Sequence, residues 1–190
     1  MISQRASNIF QFLAKPGWII LLTALFVLTI SILFPAGKAW LGIPAELDSL
    51  DTTLTYTPQQ AFDLLETYSP AQRQAYALMH ITLDLLFPVI FTLTLGAVIT
   101  YFSRRAFSVN SRGQRLYLMP LFLFVMDLLE NTLVISLALT HPNSPYLLAL
   151  TAGAVTLVKW LAAGLTMAAV AISGLLFIWR ILGRKNTSKH

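Results

Sequence analysis

The sequence contains no cysteine and few charged residues. Without cysteine there are no disulfides, thiolate metal ligands, cysteine nucleophiles or palmitoylation sites. A glycine-rich phosphate loop, an HExxH zinc motif and a nucleophilic-serine elbow are also missing, so the commonest marks of nucleotide-binding and hydrolytic enzymes are absent. Charged residues are 11% of the 190 residues, against about 25% in a soluble domain. This low charge argues against one soluble core.

What the chain has instead is apolar residues, 56% of the total, gathered in four long blocks. Blocks of this length predict membrane-spanning helices, because about 20 apolar residues in a helix cross the hydrocarbon of a bilayer. We therefore predict an all-α fold: an integral membrane four-helix bundle that forms a single domain over residues 1–190. The predicted spans cover about 17–36, 78–102, 116–139 and 149–179.

The first span admits a second interpretation, a cleaved signal peptide. Its basic start, apolar centre and the small residues of Pro35–Ala39 resemble a loose cleavage site. The apolar stretch is long for a signal peptide, so a retained anchor is favoured. Before it, Ile9, Phe10, Phe12 and Leu13 give the short basic leader a face that could rest on the membrane surface.

The segment 37–69 is the one substantial predicted loop, and it is acidic. Within it, Thr57 to Gln60 has the pattern of a capping box with proline at the first helical position, which predicts a short amphipathic helix over about 57–68. This helix is either a lid or a surface helix that simply buries its apolar face. Ser69 to Gln72 repeats the same start pattern and opens the second long helix.

Lysine and arginine are unevenly distributed between the two sides of the predicted bundle. The leader, the tail and the loop with Arg104, Arg105, Arg112 and Arg115 are basic, whereas the segment 37–69 is acidic and the turn at His141 has neither lysine nor arginine. Because cytoplasmic loops are enriched in lysine and arginine, both termini are expected in the cytoplasm. This distribution also explains the net charge of +5 without nucleic-acid binding.

Ionisable residues interrupt three of the four spans. Counting about 1.5 Å per residue from the cytoplasmic boundary puts them about 16 to 28 Å deep, all in the outer half of the membrane. His80 is expected above them, near the outer interface. Pro88 lies four residues after Asp84 and is expected to kink the helix or to free a carbonyl there. The candidate site residues are His80, Asp84, Asp127, Glu130, Asn131 and Lys159.

The spacing of Asp127, Glu130 and Asn131 places them on one helix face, which should be turned toward the bundle interior because a charge facing lipid costs ~2.5–3.5 kcal/mol or more. Two interpretations remain open. In one, Lys159 pairs with a carboxylate and Asn131 bonds across helices, and this polar knot only fixes helix register. In the other, which we favour, the residues bind a ligand or relay protons in a site open to the outside.

A metal site is a less favoured version of the second interpretation. His80, Asp84, Asp127 and Glu130 are acceptable ligands for zinc or manganese. However, Lys159 would repel a cation, and His80 is expected to lie too far out. We therefore predict no metal site, and the sequence identifies no other cofactor.

Short motifs along most of the chain resemble those of a group of uncharacterised bacterial four-span integral membrane proteins. The resemblance lies in Tyr56 to Leu65, Ser69 to Tyr76, Leu83 to Pro88, the D-x-x-E-N motif of Asp127 to Asn131, and Lys159. It implies the four-span architecture and a multi-pass protein of the bacterial plasma (inner) membrane. It implies no activity.

The leading functional hypothesis is an integral membrane protein that binds a small molecule or lipid through a buried acidic and lysine site. The alternatives are an enzyme acting on a lipid or isoprenoid head group, with one carboxyl as general acid or base, and an accessory or assembly subunit of a larger membrane complex. The expected partners are membrane lipids. A homo-oligomer stays open, and a transporter is disfavoured because the chain shows no inverted repeat.

Overall fold

The computed structural model describes residues 2–44, 49–108 and 111–187, with side chains described from Arg5 to Leu182. The loop acids Glu46 and Asp48 and the turn residue Asn110 lie outside these residues. The described helices are α1 (Ile2–Leu13), α2 (Pro16–Leu28), α3 (Phe34–Trp40), α4 (Pro58–Thr67), α5 (Pro70–Ala106), α6 (Leu118–Thr140) and α7 (Tyr146–Thr187).

Four helical stretches are long and apolar enough to cross a membrane, and they pack as a bundle, as the sequence predicts. Many large apolar side chains on their outer faces are exposed, which suits contact with lipid and not with water. The protein is thus a multi-pass membrane protein. The four stretches are Pro16–Trp40, Pro70–Ala106, Arg112–Thr140 and Tyr146–Leu182, each extending a few residues beyond the predicted span.

The first span is one helix with a π-helical turn, Thr29–Leu33, between α2 and α3. The Phe34 N–H bonds to the Thr29 carbonyl, five residues back. Pro35 follows directly, and the wider turn accommodates a proline ring that would clash in a regular helix. The span ends at Trp40, and Gly42, two residues later, has a φ of 66°, the left-handed conformation that glycine adopts most easily.

Helix α5 is the centre of the bundle, because it contacts α1, α2, α3, α6 and α7. Helices α5, α6 and α7 pack on one another, and the first span lies against α5. The end of the bundle that carries residues 41–44 and 49–57, α4 and the turn after α6 is called the loop end below. The opposite end carries Arg104 and Arg105 in the last turn of α5 and Arg112 and Arg115 in the segment before α6, and is called the arginine end.

Both predicted capping boxes are present. The Thr57 and Ser69 hydroxyls accept from the N–H of Gln60 and Gln72, and each glutamine side chain returns a bond to the cap residue. Helix α4 buries Ala61 and Leu65 completely against the bundle. This packing agrees with the prediction of a surface helix that buries its apolar face.

Arg73 fastens the end of α4 to the start of α5. Its Nη1 donates to the carbonyls of Leu65 and Tyr68, at 3.0 and 2.6 Å. The Leu65 carbonyl also accepts from the Tyr68 N–H at 3.3 Å, so backbone and arginine together satisfy the carbonyl end of α4. The loop end is therefore a packed cap on the bundle.

Helix α1 packs on the arginine end of the bundle. Phe10 is buried against Ile99 and Tyr117, while Ile9 and Phe12 stay exposed. Gly96 of α5 makes this docking possible, since a Cβ there would lie 2.1 Å from the Phe10 ring. The apolar side chains of the leader therefore divide into those that pack on the bundle and those that stay on its outer surface.

Candidate functional site

All six candidate residues meet in the interior of the bundle. Helix α5 supplies His80 and Asp84, α6 supplies Asp127, Glu130 and Asn131, and α7 supplies Lys159. Five of them are buried, and Asp127 is half-buried. Charges facing inward from three helices agree with the cost of exposing a charge to hydrocarbon.

Lys159 and Glu130 form the central ion pair of this cluster. The Lys159 Nζ contacts Glu130 Oε2 directly and lies 3.8 Å from Asp127 Oδ1. Glu130 is completely buried, and its second oxygen, Oε1, has no hydrogen-bond partner among the described residues. The pair is therefore well shielded from solvent but incompletely satisfied.

His80 is held on one side by two acceptors. Its Nδ1 lies 2.6 Å from Asp84 Oδ2 and 2.9 Å from Asn131 Oδ1. Because both partners accept, Nδ1 carries the proton, and a neutral imidazole then has its lone pair on Nε2. The sequence places His80 above the cluster, but the structure places it within the cluster, since its ring bonds across to α6.

Pro88 has the consequence expected from its position. Proline has no N–H, so the carbonyl of Asp84, four residues earlier, loses its helical partner. The Asn131 side chain fills this vacancy by donating Nδ2 to the Asp84 carbonyl at 3.0 Å. This bond fixes the amide orientation of Asn131 and so fixes which atom faces His80.

Asp51, in the 3₁₀ turn Leu50–Thr52, adds to the cluster an ionisable group that is not among the candidates from the sequence. Its Oδ1 lies 4.0 Å from His80 Nε2, and its backbone carbonyl accepts from Lys159 Nζ at 3.1 Å. An irregular loop has no periodicity that links it to a helix face. The sequence shows Asp51 only as one acid among several in an acidic segment.

The loop around Asp51 is held by three further contacts. Tyr76 Oη lies 2.8 Å from Ser49 Oγ and accepts from the Leu50 N–H at 3.1 Å. Farther along, Thr55 Oγ1 donates to the Gly153 carbonyl of α7 at 3.1 Å. The loop therefore folds into the loop end of the bundle and closes over His80.

Tyr56 lies in the same loop and is buried. Burial, followed by the nearby carboxylates of Glu130 and Asp51, raises the pKa of the Tyr56 phenol to about 12. The Tyr56 Oη has no hydrogen-bond partner among the described residues. Tyr56 is therefore neutral at physiological pH and adds no charge to the cluster.

A cavity of about 300 Å³ opens beside the cluster, where Asp51, Asp84, Asp127 and Lys159 form its polar end. The remaining wall is mostly apolar and includes Pro88 and Leu123. Pockets for small ligands have this composition, apolar walls with a few polar groups. The aromatic part of the wall is Phe34, Phe87, Phe91, Phe124 and Trp160.

Asp51, His80 and Asp84 are also grouped closely enough to hold a metal ion. One candidate ligand atom from each lies within 4.8 Å of the other two. This trio differs from the set considered from the sequence, because Asp127 and Glu130 face Lys159 instead. This trio and the Lys159 ion pair are therefore neighbouring but separate groups of residues.

Fold and site together define a four-span membrane protein with buried charged residues beside a cavity whose wall is mostly apolar. No protein-family model, curated protein or solved structure matches the chain. The resemblance to bacterial four-span proteins thus stays a prediction. Function has to be argued from the site itself.

Proposed function

We propose that the protein binds a small amphiphile, a lipid or another small molecule, taken from the membrane. The apolar part of this ligand lies against the aromatic wall of the cavity, and its polar head group reaches Asp127 and Lys159. The observation that carries the proposal is the cavity itself, which has charged side chains at one end and phenylalanines along its wall.

The Lys159 contacts suit a head group that both donates and accepts hydrogen bonds. Lys159 uses one direction for Glu130 and another for the Asp51 carbonyl. An ammonium has three donors, so the third can bind an acceptor in the cavity. Asp127 lines the same cavity and offers an acceptor for a donor on the ligand.

The test fills the cavity without altering the charges. Ala163 lines the cavity, whereas Ala168 lies on the exposed side of the same helix. We expect Ala163→Leu to remove most of the molecules that co-purify with the wild-type protein in mild detergent, as measured by mass spectrometry of the extract. The matched variant Ala168→Leu should retain them. Equal retention by both variants would exclude this cavity as the site.

A membrane enzyme is the second candidate, favoured by the His80–Asp84 contact. A carboxylate at Nδ1 orients an imidazole and raises its basicity, as general bases require. This candidate predicts turnover of a lipid substrate that is abolished in His80→Gln while binding persists. Binding without turnover in the wild-type protein would exclude the enzyme and leave the binding function.

We also propose that the loop end faces the outside of a bacterial inner membrane, with both termini in the cytoplasm. The support is the arginine-rich segment at the opposite end. Because the chain has no cysteine, an introduced cysteine is the one thiol of the protein that a maleimide can label. An impermeant maleimide applied to intact cells should label Ser144→Cys and spare Ser111→Cys. The opposite pattern would invert the orientation.

A further inference from the structure

One nitrogen of the His80 imidazole points toward a carboxylate that it does not reach. The side chain is completely buried, and Nε2 has no hydrogen-bond partner among the described residues. Asp51 Oδ1 is 4.0 Å away, beyond hydrogen-bonding distance. A buried, unsatisfied ring nitrogen costs free energy unless something binds it.

We propose that Asp51, His80 and Asp84 bind one divalent transition-metal ion, with Zn²⁺ and Mn²⁺ the ions to which this ligand set is suited. His80 Nε2 and the Asp51 carboxylate are two ligands, and the Asp84 carboxylate, which now lies against Nδ1, becomes the third by turning toward the ion. One imidazole and two carboxylates form a ligand set that both ions accept. Water from the adjoining cavity completes the coordination.

The surroundings of His80 already hold the ring as a metal ligand requires. Asn131 Oδ1 lies 2.9 Å from Nδ1 and still accepts its proton when Asp84 turns to the ion, which leaves the lone pair on Nε2. Metal-bound histidines almost always donate their other N–H to a carboxylate or carbonyl oxygen, which fixes tautomer and ring orientation. Asn131 is itself fixed by the Asp84 carbonyl, so the imidazole is oriented by two linked contacts.

The distance between the ligand atoms is close to what an ion needs. Ligands of a tetrahedral zinc ion lie about 3.3 Å apart, so Asp51 has to approach His80 by less than about 1 Å. Asp51 belongs to a loop and its side chain is 17% exposed, whereas His80 is fixed within a helix. The movement therefore falls on the part of the site that can make it.

The charge balance favours a cation as well. Asp51, Asp84, Asp127 and Glu130 carry four negative charges when ionised, and Lys159 supplies one positive charge against them. With a neutral imidazole the cluster has a net charge of −3, and a divalent ion reduces it to −1. Buried charges are costly unless they are paired, so the ion stabilises the whole cluster.

Lys159 does not oppose this ion in the way that the sequence suggests. Its ammonium contacts Glu130 and lies near Asp127, so two carboxylates offset its charge. Toward the metal ligands it presents only a bond to the backbone carbonyl of Asp51. The sequence disfavours a metal because Lys159 would repel it and because His80 would lie too far out. In the structure the charge of Lys159 is offset, and His80 lies inside the cluster.

The experiment measures metal binding directly and does not depend on the amphiphile. Full-length protein in mild detergent is stripped with a chelator, incubated with Zn²⁺ or Mn²⁺, and separated from free ion by gel filtration. Elemental analysis should find about one ion per chain in the wild-type protein. Asp51→Asn and His80→Gln should each weaken binding at least tenfold, and bound Mn²⁺ should show an altered electron paramagnetic resonance spectrum.

Asp127→Asn is the matched control, because it removes one carboxylate from the same cluster without touching the three ligands. It should keep the ion, with gel filtration and circular dichroism showing that all variants remain folded. Wild-type protein that holds no ion overturns the proposal. Equal loss from Asp51→Asn and Asp127→Asn would also overturn it, because it would indicate unspecific attraction to negative charge. Neither result would affect ligand binding in the cavity.

Discussion

Removing the Lys159 ammonium should destabilise the bundle more than any surface change. In Lys159→Met the completely buried Glu130 loses the ammonium that contacts its Oε2, and its Oε1 already has no hydrogen-bond partner among the described residues. Breaking a buried ion pair from one side costs about 3–5 kcal/mol. We expect a loss of this size in the free energy of unfolding.

The reverse single variant should cost less. In Glu130→Leu the lysine still has Asp127 within 3.8 Å and the Asp51 carbonyl at 3.1 Å. Replacing both members by apolar residues of similar volume removes the buried charge of Glu130 as well and leaves only the half-buried Asp127 without the ammonium, so Glu130→Leu with Lys159→Met should lie within about 2 kcal/mol of the wild type. The double variant is therefore predicted to be more stable than Lys159→Met alone.

The assay is unfolding by sodium dodecyl sulfate in mixed micelles, followed by far-ultraviolet circular dichroism. Lys38→Met in α3 is the matched control, because it removes a lysine outside the cluster, and it should change the unfolding free energy by less than about 0.5 kcal/mol. A double variant whose loss equals the sum of the single losses would refute the reasoning, since additivity means that the two side chains do not interact.

Two further predictions concern the loop that closes over His80. In Gly153→Ala the new Cβ would lie 2.2 Å from the Tyr56 carbonyl oxygen, so the loop has to shift; we expect a loss of about 1–3 kcal/mol in unfolding experiments. Gly164→Ala, with no neighbouring atom within 4 Å, should have no such cost, and equal effects would contradict the close approach. The pKa of Tyr56 is raised from 10.0 to about 12, so its contribution to stability is present below pH 10 and is lost as pH rises through 12. A tyrosinate absorbance titration should lose a component near pH 12 in Tyr56→Phe; a titration curve that the substitution leaves unchanged would contradict it.

The features that follow local rules could be predicted from the sequence. Hydropathy identifies the spans because a helix in lipid must satisfy its own backbone and present apolar side chains. The two capping boxes depend on residues three apart, and the carbonyl freed by Pro88 depends on residues four apart. Depth counting also brings Asp84, Glu130 and Lys159 together, because helix rise is nearly constant.

Contacts made by irregular backbone could not be predicted. Asp51 lies near His80 because Tyr76 and Gly153 hold its loop in place, and no spacing rule relates a loop residue to a helix face. The place of His80 was misjudged for a related reason. Counting residues along a helix gives a depth in the membrane but not the neighbours of a side chain, which for His80 are set by the Asn131 bond and by the loop packed above it.

The most direct test of the central claim, that the polar cluster belongs to a ligand site, is native mass spectrometry of the intact protein released from mild detergent. The comparison is between wild type and Asp127→Asn, which leaves the Lys159–Glu130 pair in place. Ligand binding predicts an added mass on the wild-type protein that the variant loses while remaining folded. A bare chain mass in both proteins, with the variant only less stable, would contradict the claim and leave the cluster as a polar knot that fixes helix register.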